Sequence, residues 1–172
     1  MGMLNDDMKK LLAECRLTYV ATVTPDGRPN LSPKASTKVL DDNHLVFVDI
    51  ASPNTIRNLK ANPYIEVNVV DNLRRRGYRF KGVAEVLTEG ELYKTVAEDF
   101  WTREGRQYPA NGIVTIRIEQ ALPLWSPAYT FNRGVREEDV RRLYLQRYGL
   151  QDLTPADGRE NASNVNRAKA NA

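Results

Sequence analysis

The β-forming runs of this chain are mostly separated by short turns that suit antiparallel hairpins. Leu17–Val23, rich in β-branched and aromatic residues, is followed by Thr24-Pro25-Asp26-Gly27. There Pro presets φ at the second turn position and Gly accepts a positive φ. Asp41-Asp42-Asn43 separates a return run, Arg28–Val39, from His44–Ile50. Asp71–Gly77 joins Tyr64–Val70 to Tyr78–Thr88, and Ile113–Leu122 is the last main run, its residues alternating in type. Parallel strands need crossovers of about a dozen residues, so the short connections favour a barrel or sandwich over a doubly wound sheet. The spacing predicts a mainly β fold: a six-stranded antiparallel barrel with short helices. Pro29 and Pro33 make the return run irregular or put it at an edge.

Helical segments are inserted between these runs. Asn5 is placed to cap a helix ending near Cys15, with Met8, Leu11 and Leu12 on one face. Ser52 and Pro53 open a second helix that stops near Ala61, before Pro63. Leu92, Val96 and Phe100 have helical spacing within Glu89–Arg103, as do Val140, Leu143 and Tyr144 within Arg136–Tyr148. The last of these helices is expected to pack on the barrel or on a partner. One domain spans 1–150, and 151–172 reads as a flexible polar tail.

Bulk properties narrow the function. With 41% hydrophobic and 27% charged residues the chain is globular, and a net charge of +3 is far from a nucleic-acid binder's basic excess. Cys15 has no second cysteine to pair with, which suits a reducing compartment. No apolar run approaches the ~18 residues of a membrane span. A cytoplasmic protein without nucleic-acid or membrane partners is expected. His44 is the lone histidine, so neither a metal site nor a catalytic triad is expected. Arg74-Arg75-Arg76 reads as a solvated hairpin tip, and Arg79 and Lys81 share one strand face.

Two segments together suggest an anion site. Ser32-Pro33-Lys34 ends the return run with a lysine, and Ser52-Pro53-Asn54-Thr55 opens a helix whose free N–H groups and dipole favour negative charge. Thr55 carries a hydroxyl into the first turn; Arg57 is a second cation there or faces solvent. On their own these features are equally an ordinary cap and a surface lysine.

The ordered set resembles the FMN-binding split-barrel family related to pyridoxamine 5′-phosphate oxidase. The residues that carry the resemblance are Ala21-Thr22, Gly27-Arg28-Pro29, Ser32-Pro33-Lys34, Leu45–Asp49, Thr55, Asn58-Leu59, Asn62-Pro63 and Arg79–Val86, within residues 5–125. The resemblance implies a homodimer with FMN at the subunit interface. The implied cofactor residues are Ser32, Pro33, Lys34, Ala35, Asp49, Ile50, Ala51, Ser52, Asn54 and Thr55, with Trp125 reaching in from the partner subunit. A barrel this small has little interior room for FMN, which also favours a groove between subunits. The implied activity is oxidoreduction with a small-molecule electron donor or acceptor, catalytic residues unassigned. Enzymes that oxidise pyridoxamine phosphate carry a C-terminal arginine-histidine motif, and this chain has no histidine after His44. The alternatives are an F420-dependent reductase, or a flavin- or haem-binding module without turnover.

Overall fold

A computed structural model of the chain describes residues 2–150; the expected tail, 151–172, lies outside the described residues. The elements are α1 (Asp6–Cys15), β1 (Thr18–Val23), β2 (Pro29–Lys34), β3 (Lys38–Val39), β4 (His44–Asp49), α2 (Pro53–Ala61), β5 (Tyr64–Asp71) and β6 (Arg76–Leu87). They continue with α3 (Glu91–Glu104), β7 (Gly112–Trp125), α4 (Pro127–Phe131) and α5 (Glu137–Arg147).

The strands form one antiparallel sheet in the order β2-β1-β5-β6-β7-β4-β3. Seven strands stand where six were expected, because the return run Arg28–Val39 breaks into β2 and β3. These two strands are the opposite edges of the sheet, yet residues 35–37 alone connect them. Chain of that length reaches about 14 Å from Lys34 to Lys38. The sheet therefore has to curl until its edges approach at that end, which makes it a half-closed, split barrel.

Hydroxyl groups hold the 35–37 strap in place. Ser36 Oγ donates to the Val48 carbonyl (3.3 Å) and accepts from the Val48 N–H (3.0 Å). Thr37 Oγ1 lies 2.7 Å from Thr18 Oγ1, which in turn donates to the Lys34 carbonyl at 3.1 Å. Elsewhere the curl is helped by a bulge at Lys81/Gly82, where a Cβ on Gly82 would overlap the Arg117 carbonyl.

Two cores result. The larger, within the curl, contains Val20, Leu45, Phe47, Val67, Phe80 and Ile116, closed by Leu11 and Leu12 of α1 and Leu59 of α2. The smaller lies on the other face, where Val96, Ala97 and Phe100 of α3 cover Val46, Val48 and Ile113. Gly112 to Ile116 are all buried for that reason, so the alternation read along this strand fails in its first half. On α5 the buried residues are Val140 and Leu145, and Leu143 is exposed.

Of the arginine triplet, Arg75 is exposed as expected of a hairpin tip, but Arg74 and Arg76 are held in ion pairs. Arg76 donates to both Asp7 oxygens (2.8 and 2.9 Å), and its Nε, though without a well-angled hydrogen bond, sits 3.0 Å from Glu137 Oε1. Tyr78 also donates to Asp7, at 2.5 Å, and Arg74 pairs with Asp71 at 2.8 Å. The cluster fastens α1 and α5 to β6. Hydrogen bonds from Arg76 and Tyr78 hold the Asp7 carboxyl down at about 2. A carboxyl depressed in the folded state contributes stability that is complete above the ordinary aspartate range and is lost as pH falls toward about 2. Asp7→Asn is therefore expected to flatten the fall in urea midpoint between about pH 4 and about pH 2. Equal slopes for parent and variant would refute the assignment.

Candidate functional site

The site expected from the sequence lies where β2, the strap, the end of β4 and the start of α2 converge. α2 packs on β1 and β2, and it is tied to them by Thr22. That hydroxyl accepts from Asn58 Nδ2 (3.0 Å) and from Asn30 Nδ2 (3.2 Å). Ser52 stands at the N-cap as expected, but its side chain caps nothing. Asp49, three residues earlier, instead holds the N-cap backbone, its Oδ1 accepting the Ser52 N–H at 3.0 Å. The N–H groups of Asn54 and Thr55 have no carbonyl behind them in the helix.

Lys34 is the unusual residue. Its side chain is buried, at 5% exposure, and among the described residues it has no carboxylate within ion-pair distance. Nζ donates to Ser32 Oγ and to the Pro33 carbonyl (3.2 Å), and lies 5.6 Å from the centre of the Phe47 ring. Burial pushes its pKa below the ordinary lysine range, with the charge of Asp49 pulling partly back up. A buried ammonium without a counter-ion costs several kcal/mol. It is the kind of group a bound anion would relieve.

The other expected residues divide by position. Ala35 and Ile50 line one cavity of about 210 Å³, together with Ser36, Phe100 and Tyr108. Thr55 is buried, while Asn54 is exposed and accepts from Arg57 Nη2 at 2.9 Å, which directs both toward solvent. Trp125 is not brought to Lys34 within one chain. Gly112, at one end of β7, pairs with Asp49; Trp125, at the other end, pairs with Arg76 and packs edge-on against Tyr129 (5.4 Å). Arg79 and Lys81 both pair with Glu66, at 3.4 and 3.1 Å. His44 lies at the far end of β4 from Asp49 with Nδ1 against Asp41 (2.9 Å). No group of three or more potential metal ligands occurs among the described residues.

Sequence reasoning missed Phe47, Ser36, Phe100 and Tyr108. Phe47 meets Lys34 because the sheet curls, Ser36 is brought in by the strap, and Phe100 by α3 packed over the other face of β4. Tyr108 lies in an irregular segment whose direction no periodicity reveals.

Comparison with known proteins decides the family. The sequence profile described as pyridoxamine 5′-phosphate oxidase matches residues 4–124, which contain β1 to β6 and almost all of β7. This chain belongs to the pyridoxamine 5′-phosphate oxidase family. An uncharacterised protein of Methanocaldococcus jannaschii is 30% identical to it over 125 residues, 72% of this chain and 82% of that one. HupZ of Group A Streptococcus is 34% identical with a TM-score of 0.67, covering 72% of this chain and 96% of its own. A provisionally assigned pyridoxamine 5′-phosphate oxidase from Lactobacillus delbrueckii is 25% identical with a TM-score of 0.61, covering 71% and 95%. Structures below 25% identity share the fold alone, and their names range from an FMN-binding protein to an F420 reductase and a haem storage protein. Membership thus fixes the architecture and leaves the bound group open. No described helix is long and apolar enough to cross a membrane.

Proposed function

We propose that this protein is an FMN-binding oxidoreductase that works as a homodimer. The observation that carries the reading is the buried Lys34, which has no ion-pair partner among the described residues, on the strand against which α2 packs with no side-chain cap at its first turn. A phosphate fits that chemistry: it supplies the missing negative charge and accepts from Lys34, Ser32, Thr55 and the free helix amides. Ala35, Ile50 and Ala51 offer small apolar surface and strand-end backbone groups for a flat ring. A flavin, when bound, supplies hydride and single-electron chemistry. The chain's own part is to hold it. Haem held through histidine fits less well, because His44 is at the opposite end of β4.

The dimer has a natural seam. Thr18, Val20 and Thr22 point inward, so Tyr19, Ala21 and Val23 face out, opposite Pro33, Leu31 and Pro29 of β2. Tyr64 of β5 adds to the same region, and Leu31 and Tyr64 are 67% and 65% exposed. An apolar face of this kind on an outer sheet fits a second copy. Ser32 and Lys34 lie on the other face of the same edge strand, opposite Val20 and Thr18, so the seam and the phosphate site adjoin. Trp125, exposed and remote from Lys34 in its own chain, would then come from the partner.

The test is the visible spectrum of the purified protein after FMN is added and excess removed. Bands near ~370 and ~450 nm, retained through gel filtration at dimer size, are expected. A colourless protein that does not quench FMN fluorescence would overturn the reading.

A further inference from the structure

A second cavity, of about 680 Å³, lies between α1, the strap with β3, and the C-terminal end of α3. That volume is in the range of small-molecule sites. It shares Ala35 and Glu104 with the smaller cavity beside Ile50, so the two form one trench running away from Lys34. Leu12 and Ala13 of α1 and Val39 of β3 make its apolar walls.

Its charges do not cancel. Lys9 is matched by Asp42 at 2.7 Å, and Lys38 and Arg103 share Asp99 at 2.5 and 3.1 Å. Arg103 also reaches Glu104 at 3.4 Å. Arg16 is the lining cation left without a carboxylate within 4.0 Å among the described residues. Its backbone is left-handed, with φ 51° and ψ −2°, at the C-cap of α1. Glycine is the residue that takes this conformation at helix ends without penalty. An arginine there is strained relative to glycine, and it lines the trench.

We propose that the trench binds a small monoanionic molecule, with its carboxylate on Arg16 and an apolar body over Leu12, Ala13 and Val39. A carboxylate accepts two parallel N–H bonds from a guanidinium. One surplus cation balances one negative charge, and Glu104 in the wall opposes a dianion such as phosphate. That the occupant would sit next to a bound flavin rests on the preceding reading; the binding itself does not.

The test uses the full chain without added flavin, titrated with 4-phenylbutyrate and followed by amide NMR. The neutral 4-phenylbutanamide is the control. The acid is expected to move the resonances of Ala13, Ala35 and Thr37 and to bind at least about tenfold more tightly than the amide. Arg16→Ala should bring the acid down to the level of the amide. Arg16→Gly should do the same while raising the melting temperature, since it suits the left-handed backbone. Equal affinity for acid and amide, no shift at those three residues at millimolar acid, or a lower melting temperature in Arg16→Gly would each overturn the proposal. FMN titration of the same samples reports on the flavin site, which does not include Arg16, so failure of either reading is visible separately.

Discussion

Truncating Phe47 to alanine is expected to cost about 3–5 kcal/mol of folding free energy. Phe47 is fully buried on β4, within the larger core beside Val20, Val67 and Phe80. A void there cannot be filled by collapse, because α3 packs Phe100 and Val96 on the other face of the same strand. For a domain of this size the melting temperature should fall by roughly 6–20 °C. Phe47→Leu separates the two roles of the ring. It keeps most of the core volume but removes the aromatic face below Lys34 Nζ, 5.6 Å away. That face is worth about 0.5–2 kcal/mol to a cation, depending on desolvation. Phe47→Leu is therefore expected to stay folded and to bind FMN several-fold more weakly. If thermal melts show less than about 1 kcal/mol for the alanine variant, the packing argument is wrong.

The parts of the structure that were legible share one property: local chemistry decides them. Thr24-Pro25-Asp26-Gly27 makes its turn with Gly27 at φ 83°, as the residue types require. Pro53 begins α2 and Asn5 caps α1, accepting the Met8 N–H at 2.9 Å. The break of the return run into β2 and β3 was not legible, because no glycine or proline lies between Lys34 and Lys38. The strap's polar groups are satisfied by Val48 and Thr18, which are distant in sequence. The same holds for Arg76, whose partners Asp7 and Glu137 lie on opposite flanks of the chain. Within the site, Lys34 and the α2 start could be named from the sequence. The burial that gives Lys34 its significance could not, since it depends on Phe47 and the curl of the sheet.

Replacing Lys34 by methionine is expected to strengthen the fold and weaken FMN binding together. Methionine matches the length of the buried stem and removes an ammonium that has no carboxylate within ion-pair distance among the described residues. Exchanging buried charge for apolar volume is commonly neutral or stabilising by about 1–4 kcal/mol. The same change deletes a charge-assisted hydrogen bond to the phosphate, about 1–3 kcal/mol, which is roughly a 5- to 150-fold rise in Kd. The parent should also lose FMN affinity at alkaline pH. A lysine held below its ordinary range by burial sheds its proton earlier as pH rises, and the neutral amine no longer offsets the phosphate charge. In Lys34→Met that part of the pH dependence should vanish. FMN fluorescence titrations from neutral to alkaline pH, paired with urea melts of the same samples, measure both effects. If Lys34→Met binds FMN as the parent does, the phosphate lies elsewhere. If it binds weakly and is also less stable, Lys34 serves the fold first and the anion second.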